Sequence, residues 1–143
     1  MKLVQHLLDK KGRAIFSVGP DDSVFNAIKI MAEKGIGALV VMTGDSLQGI
    51  LSERDYARKV IIKGRSSETT RVAEIMTADV LTTSSSQTVN QCMNLMTEKK
   101  IRHLPVIEDD KVVGVISIGD LVEAIISDQQ EAIEHLEHYI SGQ

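Results

Sequence analysis

The chain has almost no aromatic residues. Phe16, Phe25, Tyr56 and Tyr139 are the only four in 143 residues, and tryptophan is absent. That is too little stacking surface for single-stranded nucleic acid. The net charge of −4 gives no field that would attract a phosphate backbone, so no nucleic acid partner is expected. A single cysteine, Cys92, excludes an internal disulfide framework. No apolar run approaches the roughly 20 residues that span a bilayer. The N-terminal MKLVQHLLDKKGR has too short an apolar stretch for a signal peptide. A cytoplasmic protein without membrane contact is therefore expected. Catalytic signatures are also missing: there is no GxGxxG after a strand, no P-loop and no HExxH. His135 and His138 stand three apart among Glu131, Glu134 and Glu137, with no third or fourth ligand nearby, which reads as a solvated helix face and not a metal site.

What the chain does have is one pattern written twice. GILSERD runs from Gly49 to Asp55, and GVISIGD from Gly114 to Asp120, each position 65 further on. Both fit Gly-x-x-Ser-x-x-Asp. The register extends without a gap: Val24 maps to Val89, Met31 to Met96, Ile36 to Ile101, Leu39 to Leu104 and Val41 to Val106. A gapless repeat of this length means two copies of one supersecondary unit. Each copy is too short to bury much core alone, so the two are expected to pack together.

Each copy reads as strand, helix, strand, strand, helix, an α/β (α+β) class. In the first, Ile15 to Val18 is a strand and Gly19-Pro20-Asp21-Asp22 breaks it. Asp22 or Ser23 then caps a helix on which Val24, Ala27, Ile28 and Met31 recur at helical spacing, and Gly35 ends it. Ala38 to Met42 is a continuous apolar run, as in a buried strand. Leu47 to Leu51 returns, and Tyr56 to Ile62 is a second helix. In the second copy Val80 to Thr83 is the strand, and Val89, Cys92, Met93 and Met96 line the helix. This makes Cys92 a buried thiol and not a nucleophile. Leu104 to Ile107 and Val112 to Ile116 complete the unit. Residues 14–68 form the first repeat and 69–127 the second, joined by the polar stretch Lys63 to Thr70. Residues 128–143 form an extension in which Gln129 to Ile140 is an amphipathic helix, with Ile133, Leu136 and Ile140 on its apolar stripe.

The repeated motif has two readings. Ser52 with Asp55, and Ser117 with Asp120, match the capping box that satisfies free amides at a helix start. The same residues sit at strand-to-helix junctions, where amides and the helix dipole favour an anion. An aspartate carboxylate suits the cis-diol of a ribose, and a serine hydroxyl with helix-start amides suits a phosphate. The glycine three residues before each serine lies inside a strand, where it weakens packing unless backbone or a ligand must come close. Ile36 and Ile101, just before the buried strands, are either walls of an adenine slot or ordinary core.

These features, with the runs GALVVM and HLPVIE and the segment VAEIMT from Val72 to Thr77, make the chain resemble a pair of CBS repeats from about Ala14 to Ser127. The resemblance implies two βαββα repeats packed through their sheets about a pseudo-twofold axis, here with a C-terminal helix added. It implies two clefts that take adenosine compounds: AMP, ADP, ATP, NAD or S-adenosylmethionine. It also implies that Asp55 and Asp120 hold the ribose, that Ser52 and Ser117 lie near phosphate, and that Arg102 and His103 reach phosphate. A homodimer is commonly formed by such pairs.

The copies are not equivalent. Gly37-Ala38 in the first stands where Arg102-His103 stands in the second, and Gly119 stands opposite Arg54. Arg102 is a candidate phosphate ligand. Arg54 is open between that role and a solvated surface charge, and His103 between ligand and structural residue. The expected function is a regulatory, ligand-sensing module that passes occupancy to an unknown partner protein. The alternative is a homodimeric interaction or structural module without a ligand.

Overall fold

The structure, a computed structural model, describes residues 2–141. Contacts divide it into two compact units. Among the described residues, one gathers 2–13, 82–108 and 113–141; the other gathers 14–81 with 109–112. The units do not coincide with successive stretches of chain. Residues 2–13 belong with the second repeat, while 69–81 belong with the first.

In the first repeat, β1 (Ser17–Val18) pairs in parallel with β2 (Ala38–Thr43), and β2 pairs antiparallel with β3 (Ser46–Ser52). A bulge between Val41 and Met42 shifts the register. Helix α2 (Val24–Lys34) joins β1 to β2. Ser23 caps it, accepting from the Asn26 amide at 3.1 Å, and Gly35 ends it in the left-handed region at φ 65°. Helix α3 (Glu53–Tyr56) follows β3 and continues as a π-helical turn, Ala57–Ile61. It begins at Glu53, three residues before the predicted start, because Ser52 caps it. Helix α4 (Val72–Ile75) then closes over this unit. Val24, Leu39, Val41, Leu51, Val72 and Ile75 are fully buried in its core.

The second repeat follows the same plan with helix α5 (Val89–Lys99), the hairpin β4 (His103–Glu108) and β5 (Lys111–Ser117), and helix α6 (Ile118–Ile140). The expected strand at Val80–Thr83 is reduced to a single parallel bridge between Thr83 and Val106. The reason lies in Pro105. Thr83 donates to the Pro105 carbonyl at 3.0 Å and accepts from Ile107 at 2.8 Å. The next rung toward Leu81 would need the N–H that proline lacks. In the first repeat the equivalent residue is Val40, and the ladder there runs over two residues. The predicted helix from Gln129 to Ile140 is the distal half of α6. Gly64, in the left-handed region at φ 68°, follows the first repeat's helix. Gln129 takes its place in the second, so the helix runs on.

The N-terminal helix α1 (Val4–Lys11) completes the second unit as α4 completes the first. Val4 donates to the Gln87 carbonyl at 2.9 Å, as Val72 donates to that of Asp22 at 2.8 Å. Leu3 bridges Thr88 as Arg71 bridges Ser23. Val4 and Leu8 are fully buried, with Leu104, Ile116 and Leu121. Among the described residues no helix is long and apolar enough to cross a membrane.

Candidate functional site

Each copy of the motif forms a complete capping box. In the first, the Ser52 hydroxyl accepts from the Asp55 amide at 3.2 Å, while Asp55 Oδ2 accepts from the Ser52 amide and hydroxyl, both at 3.0 Å. In the second, the Ser117 hydroxyl accepts from the Asp120 amide at 3.2 Å, and Asp120 Oδ2 accepts from the Ser117 amide at 2.8 Å. The cap holds each carboxylate at the mouth of its helix, half-buried, with side-chain exposures of 13% for Asp55 and 23% for Asp120. Capping therefore fixes the carboxylate's position without removing all of its acceptor capacity.

The motif glycines are explained by the protein itself. A Cβ on Gly49 would sit 2.8 Å from the Thr77 carbonyl oxygen, and one on Gly114 would sit 2.6 Å from Leu8 Cδ2. Thr77 and Ile50 exchange backbone hydrogen bonds at 3.0 and 2.9 Å. The close approach that each glycine permits is thus by the segment after α4 in one unit and by α1 in the other.

The segment before each buried strand is tied to the motif. The Glu53 amide donates to the Gly37 carbonyl at 3.0 Å, and the Ile118 amide to the Arg102 carbonyl at 2.8 Å. Arg102 is exposed and His103 half-buried at the start of β4. Ile36 and Ile101 are half-buried and pack against their respective cores. Arg54 is half-buried on the first turn of α3. Burial, with the nearby charge of Lys11, lowers the His103 pKa; Asp120 opposes this and Arg102 adds to it. A neutral imidazole at pH 7 follows. Cys92 is buried, and burial raises its thiol pKa, partly offset by a hydrogen bond with Thr83 at 3.3 Å. His135 and His138 are exposed.

Sequence reading missed two lysines. Lys59 Nζ lies 3.1 Å from Asp55 Oδ1 and donates to the Ile75 carbonyl at 2.9 Å. Lys11 Nζ lies 2.5 Å from Asp120 Oδ2 and donates to the Val115 carbonyl at 2.9 Å. Burial alone would raise the Asp120 pKa, but the Lys11 bond and the Ser117 amide outweigh it and lower it. Lys59 was legible as the fourth residue after Asp55 on a helix. Lys11 was not, because the motif gives no sign that residues 1–13 fold with the second repeat. The only signal is the likeness of KLVQHLL to TRVAEIM.

The sequence matches the CBS domain family model over 12–62 and 72–127. It is 43% identical over 127 residues to the mitochondrial CBS domain-containing protein CBSX3 of Arabidopsis thaliana, an alignment that covers 85% of this chain and 62% of that protein. The chain thus spans less than two thirds of that relative. A solved protein with CBS domains from Burkholderia ambifaria superposes with a TM-score of 0.86 at 53% identity, covering 90% of this chain and 96% of that one. The CBS domain pair of protein MJ0100, solved in complex with 5-methylthioadenosine and S-adenosyl-L-methionine, superposes with a TM-score of 0.78 at 25% identity, covering 87% and 99%. Two matched repeats, one motif in each, and neighbours that share the pair from end to end place this chain in the CBS domain family.

Proposed function

We propose that this chain is a regulatory module, not an enzyme, that senses an adenosyl ligand at its motif carboxylates. The observation that carries the reading is the doubled capping box. Asp55 and Asp120 are each held half-buried at a strand-to-helix junction, where a ribose diol has a two-oxygen acceptor and a phosphate has a serine hydroxyl at the positive end of a helix. Ser52 and Ser117 are the phosphate-side hydroxyls, Arg102, His103 and Arg54 the candidate charge partners, and Ile36 and Ile101 the apolar walls. The adenosyl complexes of the MJ0100 pair support the ligand class. AMP, ADP, ATP, NAD and S-adenosylmethionine are the candidates. The repeats 14–68 and 69–127 each supply one motif. Occupancy is passed to a regulated protein, and the lone buried Cys92 fits a reducing, cytoplasmic setting. A thermal-shift screen over the five ligands tests the reading: a ligand that binds only the folded chain raises Tm. The reading also requires Asp55→Ala and Asp120→Ala each to weaken binding. No shift with any of the five would sink it.

The partner in assembly is a second copy of this chain. Val122, Ile126, Gln129, Ile133, Leu136 and Ile140 fall at alternating four- and three-residue steps along α6, and all six are exposed. Ile126, Ile133 and Ile140 occupy one position of this seven-residue repeat. Val122 and Leu136 occupy the other, a pattern suited to a two-stranded coiled coil. Truncation after Ser127 should weaken the homodimer in sedimentation. A truncated chain that dimerises as tightly as the parent would exclude the helix from the interface.

A further inference from the structure

The two lysines on the motif carboxylates differ in where they come from. Lys59 reaches Asp55 from one turn along its own helix. Lys11 reaches Asp120 from the last residue of α1, across more than one hundred residues of chain. It stands at a cleft of about 240 Å³ between α1 and α6, lined also by Lys2, His6, Lys10, Asp120 and Glu123. Its ammonium is held by two acceptors, Asp120 Oδ2 at 2.5 Å and the Val115 carbonyl at 2.9 Å. Lys11 and Arg102 both act on His103, and against them stands one motif carboxylate, Asp120.

We propose that Lys11 is a specificity-determining residue of the second motif, selecting phosphorylated adenosyl ligands over uncharged ones. The inference rests on the reading that Asp120 receives the ribose. A ribose diol that takes both Asp120 oxygens displaces the Lys11 ammonium from Oδ2. When the diol takes them, Lys11 loses its charge partner and keeps only the Val115 carbonyl. An uncharged nucleoside leaves that cation unpaired in a site where its side chain is 40% exposed. A phosphate supplies the lost partner, because an ammonium pairs with phosphate as a point charge on a flexible stem. Lys10, 3.7 Å from Glu123 on the outer rim with both side chains about 70% exposed, is too solvated to set this preference. The first motif has no counterpart arriving from a separate element, so the selection belongs to the second.

The test is titration calorimetry with adenosine and AMP in an Asp55→Asn background, which isolates the second motif. The Lys11-bearing protein should bind AMP more tightly than adenosine. Lys11→Met should weaken AMP about tenfold, the size of one charge-assisted hydrogen bond, and leave adenosine unchanged or slightly tighter. Lys11→Arg should restore most of the AMP preference. Should Lys11→Met fold poorly, Lys11→Gln removes the charge while keeping a polar end, and the same ratio is read. An unchanged ratio of AMP to adenosine affinity on removal of the charge overturns the proposal and leaves Lys11 as a tie between two helices. Tighter binding of adenosine than AMP by the Lys11-bearing protein overturns it too, while the adenosyl reading stands. Binding of neither compound overturns the role of Lys11, while the adenosyl reading is decided separately by the five-ligand thermal-shift screen on the unmutated chain.

Discussion

The two units are built to one plan and closed by different means. In the unit of the first repeat, the covering helix α4 comes immediately after the repeat in sequence. In the other, the covering helix α1 precedes both repeats, so that unit is closed by a long-range contact. Their glycines record the difference. Gly49 makes room for a backbone carbonyl, that of Thr77, and Gly114 for the end of a side chain, Leu8. A motif glycine that looks like one signal in sequence therefore serves two packings. Its repetition reflects how each unit is covered.

The largest effects should come from breaking these covers. Leu8 is fully buried under α1, and Leu8→Ala should cost about 2–5 kcal/mol, the range for a buried leucine that leaves a cavity. Gly49→Ala forces a Cβ to 2.8 Å from a carbonyl engaged in a backbone bridge, which cannot yield without losing that bridge. Gly114→Ala meets both methyls and the Cγ of the buried Leu8, at 2.6 to 3.4 Å, so a side chain must shift but no backbone hydrogen bond is at stake. Both should destabilise, by about 1–3 kcal/mol, with Gly49→Ala the worse. Denaturant unfolding of the three variants gives the order directly. Equal losses for the two glycines would mean that the units tolerate overpacking alike.

How much of this was legible follows from where each signal lies. The capping boxes, the α2 cap at Ser23, the stop at Gly35 and the buried strands were readable because propensity, burial and turn chemistry agree locally. The shortened edge at Thr83 was hidden in one residue, Pro105, which sits in a strand that otherwise reads well. The continuous α6 was hidden by polar residues at Ser127-Asp128 that look like a boundary but do not break a helix. Lys11 was illegible because its partner depends on a fold-level exchange of segments. Its one trace in the sequence is the likeness of KLVQHLL to TRVAEIM, which lies outside the repeated motif.

A smaller effect should appear in acid, in two pH windows. His103 has its pKa lowered by burial and by the Lys11 charge. The unfolded chain then takes a proton that the folded chain resists. Stability is full above the ordinary histidine range near pH 6.5 and falls as pH drops through the lower folded value. His103→Gln should flatten the stability profile between about pH 7 and 5. Asp120 is also depressed: burial would raise its pKa, but the Lys11 bond and the Ser117 amide prevail. Its contribution is present above the ordinary aspartate value, near pH 4, and disappears as pH falls below it. In the other unit Glu74 is lowered by the Arg71 amide and Arg65, but its side chain is the more exposed of the two, 36% against 23% for Asp120. Salt should therefore weaken the Glu74 share and spare most of the Asp120 share. Chemical denaturation from pH 3 to 8, at low and high salt, in Asp120→Asn and Glu74→Gln separates the two. An identical salt response in both variants would contradict the difference in burial.

The smallest effect tests the hairpin turns. In the first repeat the turn after β2 places Gly44 at φ 59°, where glycine carries no steric penalty. In the second, Asp109 and Asp110 both lie in the left-handed region, at φ 50° and 63°. Two consecutive residues with positive φ make the turn that matches the twist of a tight hairpin, and its preferred second residue is glycine. Aspartate tolerates this conformation better than most residues but still crowds its own Cβ. Asp110→Gly removes that crowding and adds backbone freedom to the unfolded chain, so the two terms partly cancel. The relief should win, because the strands on either side fix the turn whatever occupies it. A gain of about 0.5 kcal/mol is expected, with Gly44→Ala in the other turn giving a loss of similar or larger size. Paired melting curves of the two variants decide it. A loss from Asp110→Gly would mean that the aspartate side chain contributes more to the turn than its backbone strain removes.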